Sequence, residues 1–145
     1  MTHRVQLTVR SYEIDQLGHV NHAVYHQWGE HGRTQMFADA GTPFERMVPL
    51  GGCPVMLGST IRFVRELRAG AEVEVASEAV FDGGKTFRID QLISTADGVT
   101  SAEISSTLGF FDLTTRRLRP DPAAELRALA TDPAVLGLPE VVPHP

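Results

Sequence analysis

Four stretches of alternating apolar and polar residues fill much of this 145-residue chain, and they constrain its fold more than any other feature. A period of two residues is typical of a strand with one buried face. Asp82-Gly83 and Asp97-Gly98 lie between three of these stretches, and Asp-Gly between alternating runs predicts tight hairpins. The predicted strands run from about Val55 to Phe63, Val73 to Phe81, Phe87 to Ile93 and Ala102 to Phe110. We therefore predict an antiparallel meander of four long strands.

One long helix is predicted before this meander. Asn21 is a suitable N-cap for a segment from His22 to about Ala40. One face of the segment carries only apolar or small residues, namely Tyr25, Gly29, Gly32, Met36 and Ala40. Because glycine inside a helix costs about 1 kcal/mol relative to alanine, two glycines here indicate that another element packs closely against this face.

A strand near the N-terminus and a short helix near the C-terminus complete the prediction. Val5, Leu7 and Val9 alternate with polar residues, and residues 123–130 follow two prolines with a helical pattern. The packing solution is an α+β fold in which an antiparallel sheet of about five strands wraps one long central helix. We predict a single domain over residues 1–145, with a core at about 4–120 and a helix and tail at 121–145. Because an open sheet edge invites pairing, we also expect dimerisation through a strand edge.

Composition excludes several functional classes. With 13 basic and 18 acidic residues the net charge is −5, which argues against a general nucleic-acid binder. Cys53 is the single cysteine, so no intramolecular disulfide exists, as suits a reducing compartment. No apolar run approaches the length of a membrane span, and the N-terminus lacks the apolar segment of a signal peptide. We expect a cytoplasmic protein without a membrane partner.

The chemistry is concentrated between the first strand and the helix. The free N–H groups at the helix start, near His22, and the helix dipole can stabilise a carbonyl oxygen that develops negative charge. Asp15, just before the turn, can attack such a carbonyl or activate a water molecule. His19 or Asn21 can orient that water or the carboxylate. This arrangement suits hydrolysis of a thioester.

The same segment resembles the signature of the hot-dog thioesterase superfamily, in particular its 4-hydroxybenzoyl-CoA thioesterase-like group. The pattern Asp-x-x-x-His-Val-Asn-x-x-x-Tyr is similar to that of long-chain acyl-CoA and acyl-ACP thioesterases. It is formed here by Asp15, His19, Val20, Asn21 and Tyr25.

Further segments extend the resemblance to about residues 4–120. Glu30 and Arg33 follow on the helix as in many relatives, and residues 65–73 and 111–117 resemble the family's third-strand entrance and closing strand. Resemblance over this length is more specific than a lone motif.

The resemblance implies a hot-dog fold and an acyl-CoA or acyl-ACP thioesterase that uses no cofactor. It assigns the catalytic carboxylate to Asp15 and the oxyanion donor to the backbone N–H near His22. It also implies a site at a subunit interface, in a homodimer at least and a homotetramer by analogy with relatives. Two residues depart from the family pattern. Plant acyl-ACP enzymes have asparagine at the position of Leu17, and the family usually has asparagine at the position of His22. The resemblance therefore supports a catalytic role for Asp15 more directly than it supports a catalytic carboxylate–Asn–His arrangement.

Eight residues are predicted to form the site. The catalytic candidates are Asp15, His19, Asn21 and His22, and the candidate substrate contacts are Tyr25, Ser59, Arg65 and Lys85. Each has a structural alternative. Asp15 and His19 can bond the turn backbone, Asn21 can cap the helix, and Tyr25 can pack in the core. Ser59 also fits an ordinary strand residue, and the two cations fit a solvated face.

Alternatives remain for the function as well. His22 and His26 lie one helical turn apart, but the chain has neither His-Glu-x-x-His nor a cysteine pair, so no metal site is expected. A hot-dog domain can instead be a non-catalytic acyl-CoA-binding module, or a hydratase or dehydratase of acyl thioesters. The sequence does not distinguish a fatty, aryl or polyketide acyl group, CoA from a carrier protein, or a nucleophilic Asp15 from a general base.

Overall fold

The computed structural model describes residues 2–140, which form an antiparallel five-stranded sheet packed on a long helix. The strands are β1 (His3–Thr8), β2 (Gly52–Phe63), β3 (Glu72–Phe81), β4 (Thr86–Thr95) and β5 (Thr100–Asp112). The helices are α1 (His22–Asp39), α2 (Phe44–Met47) and α3 (Pro122–Leu129). Short 3-10 turns occur at Ser11–Glu13, Val48–Leu50 and Pro133–Leu136. The predicted tail ends with residues 141–145, which lie outside the described residues. None of the helices described is long and apolar enough to cross a membrane.

The strand order is β1-β3-β4-β5-β2, with every neighbouring pair antiparallel. The predicted meander is confirmed for β3, β4 and β5. It was wrong for β2, which pairs with β5 at the sheet edge, for example Phe63 with Ala102. Alternation reports which face of a strand is buried but not which strand lies beside it. The connection at 64–71 therefore carries the chain across the end of the sheet from β2 to β3.

The small-residue face of α1 packs on the sheet as predicted. Tyr25, Gly29, Gly32 and Met36 are buried there. A Cβ placed on Gly32 would lie 2.8 Å from Val75 Cγ1 of β3, so glycine allows the close approach. The predicted α+β fold, a sheet wrapped around one long helix, is confirmed.

Two loops meet at the N-terminal end of α1. The segment before the helix and the β2–β3 connection are joined by a hydrogen bond from Val20 N–H to Leu67 O, at 2.9 Å. Ile14 and Val20 also form an isolated antiparallel bridge that closes the turn between them. The fold therefore holds the chemistry-bearing turn against the end of the sheet.

Candidate active site

Five of the eight predicted site residues line one surface cavity of about 270 Å³ beside the N-terminus of α1. We call it the active-site cavity. Its lining residues are Asp15, His19, Val20, His22, Tyr25, Phe63, Val64, Arg65 and Glu66. The turn, the helix start and the β2–β3 connection each contribute, so residues distant in the chain converge on one space.

Asp15 is half-buried and organises the turn that carries it. Its Oδ1 accepts the N–H of Leu17 at 2.9 Å and lies 3.4 Å from the N–H of His19. Its own N–H donates to His19 O, and Gly18 N–H donates to Asp15 O. Gly18 has a φ of 80°, a left-handed conformation that favours glycine. No donor within residues 2–140 is found for Oδ2, so one carboxylate oxygen bonds the turn while the other is left for a ligand.

At the start of α1, the N–H of His22 has no acceptor among residues 2–140. Asn21 caps the helix, because its Oδ1 accepts Ala23 N–H at 2.9 Å and its carbonyl accepts Val24 N–H. The turn, loop and cap bonds of the described residues include none from His22 N–H. That N–H is at the positive end of the helix dipole, where it can stabilise a developing oxyanion.

The imidazole of His19 contacts a residue that the sequence did not indicate. His19 Nε2 lies 2.5 Å from Glu66 Oε2, and Arg68 Nη2 lies 3.3 Å from the other oxygen of that carboxylate. The His19 ring thus pairs with Glu66, while its backbone bonds Asp15. In the sequence, Glu66 lies in a charged run typical of a solvated loop and carries no signal of a site.

Tyr25 supports the cavity wall through a chain of hydrogen bonds. Ser101 Oγ donates to Arg65 O at 2.7 Å, because a carbonyl can only accept. The Tyr25 hydroxyl, 3.2 Å from Ser101 Oγ, therefore donates to that oxygen. Burial raises the pKa of Tyr25 above its ordinary value; the Ser101 contact opposes part of this rise, and the Glu66 carboxylate adds a smaller increase. Tyr25 is thus a neutral phenol that fixes the loop carrying Arg65.

Glu13 is a second residue that the sequence did not indicate. Its carboxylate is buried and accepts the indole N–H of Trp28 at 2.8 Å and the backbone N–H of Arg10 at 2.7 Å. Its carbonyl accepts Asn21 N–H at 2.9 Å. A buried indole N–H needs an acceptor, but the sequence does not say which residue supplies it. Glu13 ties the turn that carries Asp15 to α1.

Two predicted substrate contacts lie outside the active-site cavity. Lys85 is exposed in the β3–β4 turn, at the end of the sheet opposite to Phe63. Ser59 lies on the helix-facing side of β2, where it pairs with buried Ser106 and shares a 3.4 Å hydroxyl contact with it. Among the described residues no group of three or more His, Cys, Asp or Glu side chains could hold a metal ion.

Comparison with known proteins identifies similar sequences. A family model described as the thioesterase-like superfamily matches residues 9–136. A chloroplastic acyl-acyl carrier protein thioesterase of Arabidopsis thaliana, ATL2, is 37% identical over 73 residues, which are 50% of this chain and 39% of that protein. The chain spans less than half the length of the curated relatives it matches.

Solved structures show the same architecture. A probable thioesterase of Escherichia coli, YbaW, is 25% identical with a TM-score of 0.77, covering 86% of this chain and 93% of that one. A 1,4-dihydroxy-2-naphthoyl-CoA thioesterase of Synechocystis is 16% identical with a TM-score of 0.79, covering 89% and 96%. These likenesses confirm the predicted hot-dog fold.

Proposed function

The chain belongs to the thioesterase-like superfamily, and on that premise we propose that it hydrolyses an acyl thioester of CoA or acyl carrier protein to a carboxylic acid and a thiol. The observation that carries the proposal is the active-site cavity, where the Asp15 carboxylate and the start of α1 line one space. A base beside a backbone oxyanion donor is the minimum that this reaction requires.

The reaction begins with the thioester carbonyl oxygen at the His22 N–H. The carboxylate of Asp15 takes a proton from water while the water oxygen bonds to the carbonyl carbon. The resulting oxyanion is stabilised by the N–H and by the dipole of α1. Its collapse breaks the C–S bond, and the thiolate leaves and takes up a proton.

Asp15 can also act as a nucleophile. In that route its Oδ2 bonds to the carbonyl carbon, the thiolate leaves, and water then hydrolyses the mixed anhydride. Both routes need the same free carboxylate oxygen and the same oxyanion donor. The Oδ1 bonds to Leu17 and His19 support either route by fixing the carboxylate.

Other cavity residues take supporting roles in the proposal. His19, held by Glu66, lines the space beside Asp15, and Arg65 provides an exposed cation at the rim. An arginine there suits the phosphates of CoA or of a carrier's prosthetic arm. Ser59 and Lys85 can contact only parts of the substrate that extend beyond this cavity.

The edge strand β2 supports a homodimer. Four large apolar residues in β2 or directly after it are between 42% and 50% exposed, namely Met56, Leu57, Phe63 and Val64. An apolar open edge suits pairing with a second copy, which would also enclose the exposed wall of the active-site cavity. A homotetramer and a cytoplasmic location stay predictions.

The proposal is tested by thiol release from a panel of acyl-CoAs, from acetyl to palmitoyl and including benzoyl, with acyl carrier protein thioesters added. We expect turnover on at least one member, and a loss of about 10²- to 10⁴-fold in Asp15→Ala, the range of general acid–base catalysis. If the wild-type protein and the variant release thiol at equal rates on every member, the proposed function is wrong.

A further inference from the structure

A second cavity, of about 300 Å³, lies between α1 and the start of β2. We call it the distal cavity. Phe37, Phe44, Met56 and Leu108 provide apolar walls, and Glu30 and Arg33 of α1 provide its charged groups. Its volume is at the lower end of the range of about 300–1,000 Å³ for ligand pockets, which typically combine apolar walls with a few polar groups.

Arg33 is the unusual group in this cavity. It is half-buried, and Nη1 donates to Gln91 Oε1 at 3.1 Å. Gln91 is itself anchored, since its amide nitrogen donates to Gly29 O and Ser77 Oγ. Arg119 forms ion pairs with Asp112 and Glu125. By contrast, no carboxylate within residues 2–140 lies within 4.0 Å of the Arg33 guanidinium nitrogens. Burial lowers the pKa of Arg33, and the nearby Glu30 carboxylate opposes this lowering by a smaller amount.

The two cavities lie along the same gap. Tyr25 of α1 and Phe63 of β2 line the active-site cavity, and Arg33 of α1 and Met56 of β2 line the distal one. Ser59 and Ile61 lie between them on the helix-facing side of β2. From His22 to Arg33 the helix rises about 16 Å. An extended acyl chain advances about 1.25 Å per bond, so the twelve bonds from the carbonyl carbon to an oxygen on carbon 12 extend about 15 Å.

We infer that the distal cavity takes the far end of the acyl group and that Arg33 selects chains bearing a neutral oxygen acceptor there, such as a hydroxyl or keto group. This inference rests on the proposed thioesterase function. The guanidinium has five N–H donors and gives one to Gln91, so an oxygen in the cavity gains a charge-assisted hydrogen bond. Glu30, at the same cavity, already provides a counter-charge to Arg33, so a terminal carboxylate would lose its hydration and leave an excess negative charge there.

The test compares kcat/KM for dodecanoyl-CoA, 12-hydroxydodecanoyl-CoA, the dodecanedioyl mono-CoA thioester and butanoyl-CoA. We expect the wild-type protein to favour the 12-hydroxy chain over the plain one by about tenfold, the value of one hydrogen bond to a charged group. Arg33→Met should remove this ratio. Arg88→Met, an arginine paired with Asp90 on the outer face of the sheet, is the matched control and should keep it. Met56→Trp, which narrows the cavity, should lower the dodecanoyl-to-butanoyl ratio.

Binding separates this inference from the proposed function. Calorimetry with S-dodecyl-CoA and S-(12-hydroxydodecyl)-CoA, which cannot be hydrolysed, should show the same preference and the same loss in Arg33→Met. A binding preference without turnover would support the distal cavity and refute the hydrolase. Three results would overturn the inference: turnover without a preference for the 12-hydroxy chain, a preference for the dicarboxylate, or a preference for the 12-hydroxy chain that persists in folded Arg33→Met.

Discussion

The two oxygens of the Asp15 carboxylate have different roles. Oδ1 bonds the turn through Leu17 and His19, which is the structural role that aspartate commonly takes in loops. Oδ2 has no protein donor among the described residues. Asp15 can therefore stabilise the turn and also act in catalysis, because the turn that it stabilises fixes its free oxygen in the active-site cavity.

Glu13 is predicted to stabilise the fold by accepting hydrogen bonds from two buried or part-buried donors. Glu13→Ala leaves the buried indole N–H of Trp28 and the N–H of Arg10 without their acceptor, and an unsatisfied buried donor costs about 1–3 kcal/mol. We expect a loss of about 2–3 kcal/mol in the free energy of unfolding, measured by urea denaturation. Glu13→Gln, which keeps one acceptor oxygen, should lose less.

The control for Glu13 is Glu103→Ala. Glu103 pairs with Arg62 on the exposed side of β5, and a surface ion pair contributes about 0–1 kcal/mol. If Glu13→Ala is no more destabilising than Glu103→Ala, Glu13 does not hold the turn to α1.

Single residues show where sequence reasoning ends. Asn21 could be identified as a helix cap because capping depends on local spacing, and its side chain does accept Ala23 N–H. Glu66 and Glu13 could not be identified, because their contacts with His19 and Trp28 depend on how distant segments meet. A charged residue in a polar segment gives no local sign of such a contact.

At the scale of elements, α1 and β2 determine the site. The bounds of α1 and the strands lie close to those predicted, because alternation, Asp-Gly turns and the cap are local signals. The place of β2 beside β5, and its irregularity between Met56 and Gly58, carry no such signal. Residues of α1 and β2 line both cavities, so the cavities could not be located without the place of β2 in the sheet.

Gly32 tests the packing of α1. A Cβ there would lie 2.8 Å from Val75 Cγ1, a stiff β-branched side chain, so Gly32→Ala must displace buried atoms. We expect a net loss of about 1–3 kcal/mol in unfolding free energy despite the higher helix propensity of alanine.

Gly29→Ala is the matched comparison within the same helix. Its Cβ would lie 3.0–3.3 Å from Gln91 Oε1, Ile104 Cδ1 and Arg33 Nη1, contacts that are less severe than the 2.8 Å contact at Gly32. The loss in urea denaturation should therefore be smaller for Gly29→Ala. A stabilised Gly32→Ala variant would contradict the close packing of α1 on β3.

At the scale of the whole molecule, the exposed apolar edge of β2 predicts a homodimer. Analytical ultracentrifugation should give at least twice the chain mass of 15.8 kDa. Leu57→Lys, at a half-exposed position on β2, should shift the protein toward the monomer, because pairing would bury two like charges.

Leu92→Lys is the control for this edge. Leu92 is 38% exposed on the outer face of the sheet, away from the β2 edge. If Leu92→Lys dissociates the dimer and Leu57→Lys does not, the predicted interface at the β2 edge is wrong and the subunits pair through the outer sheet face.

The most direct test of the account is the rate of thiol release in Asp15→Asn, measured on the best thioester of the panel. Asparagine can still accept the Leu17 N–H, so the turn is kept while the carboxylate is lost. Asp82→Asn, in a turn where Asp82 Oδ1 accepts Gly84 N–H at 3.2 Å, makes the same change away from the site. We predict a fall of about 10²- to 10⁴-fold in kcat/KM for Asp15→Asn and none for Asp82→Asn. Equal rates in the wild-type protein and Asp15→Asn would contradict the account.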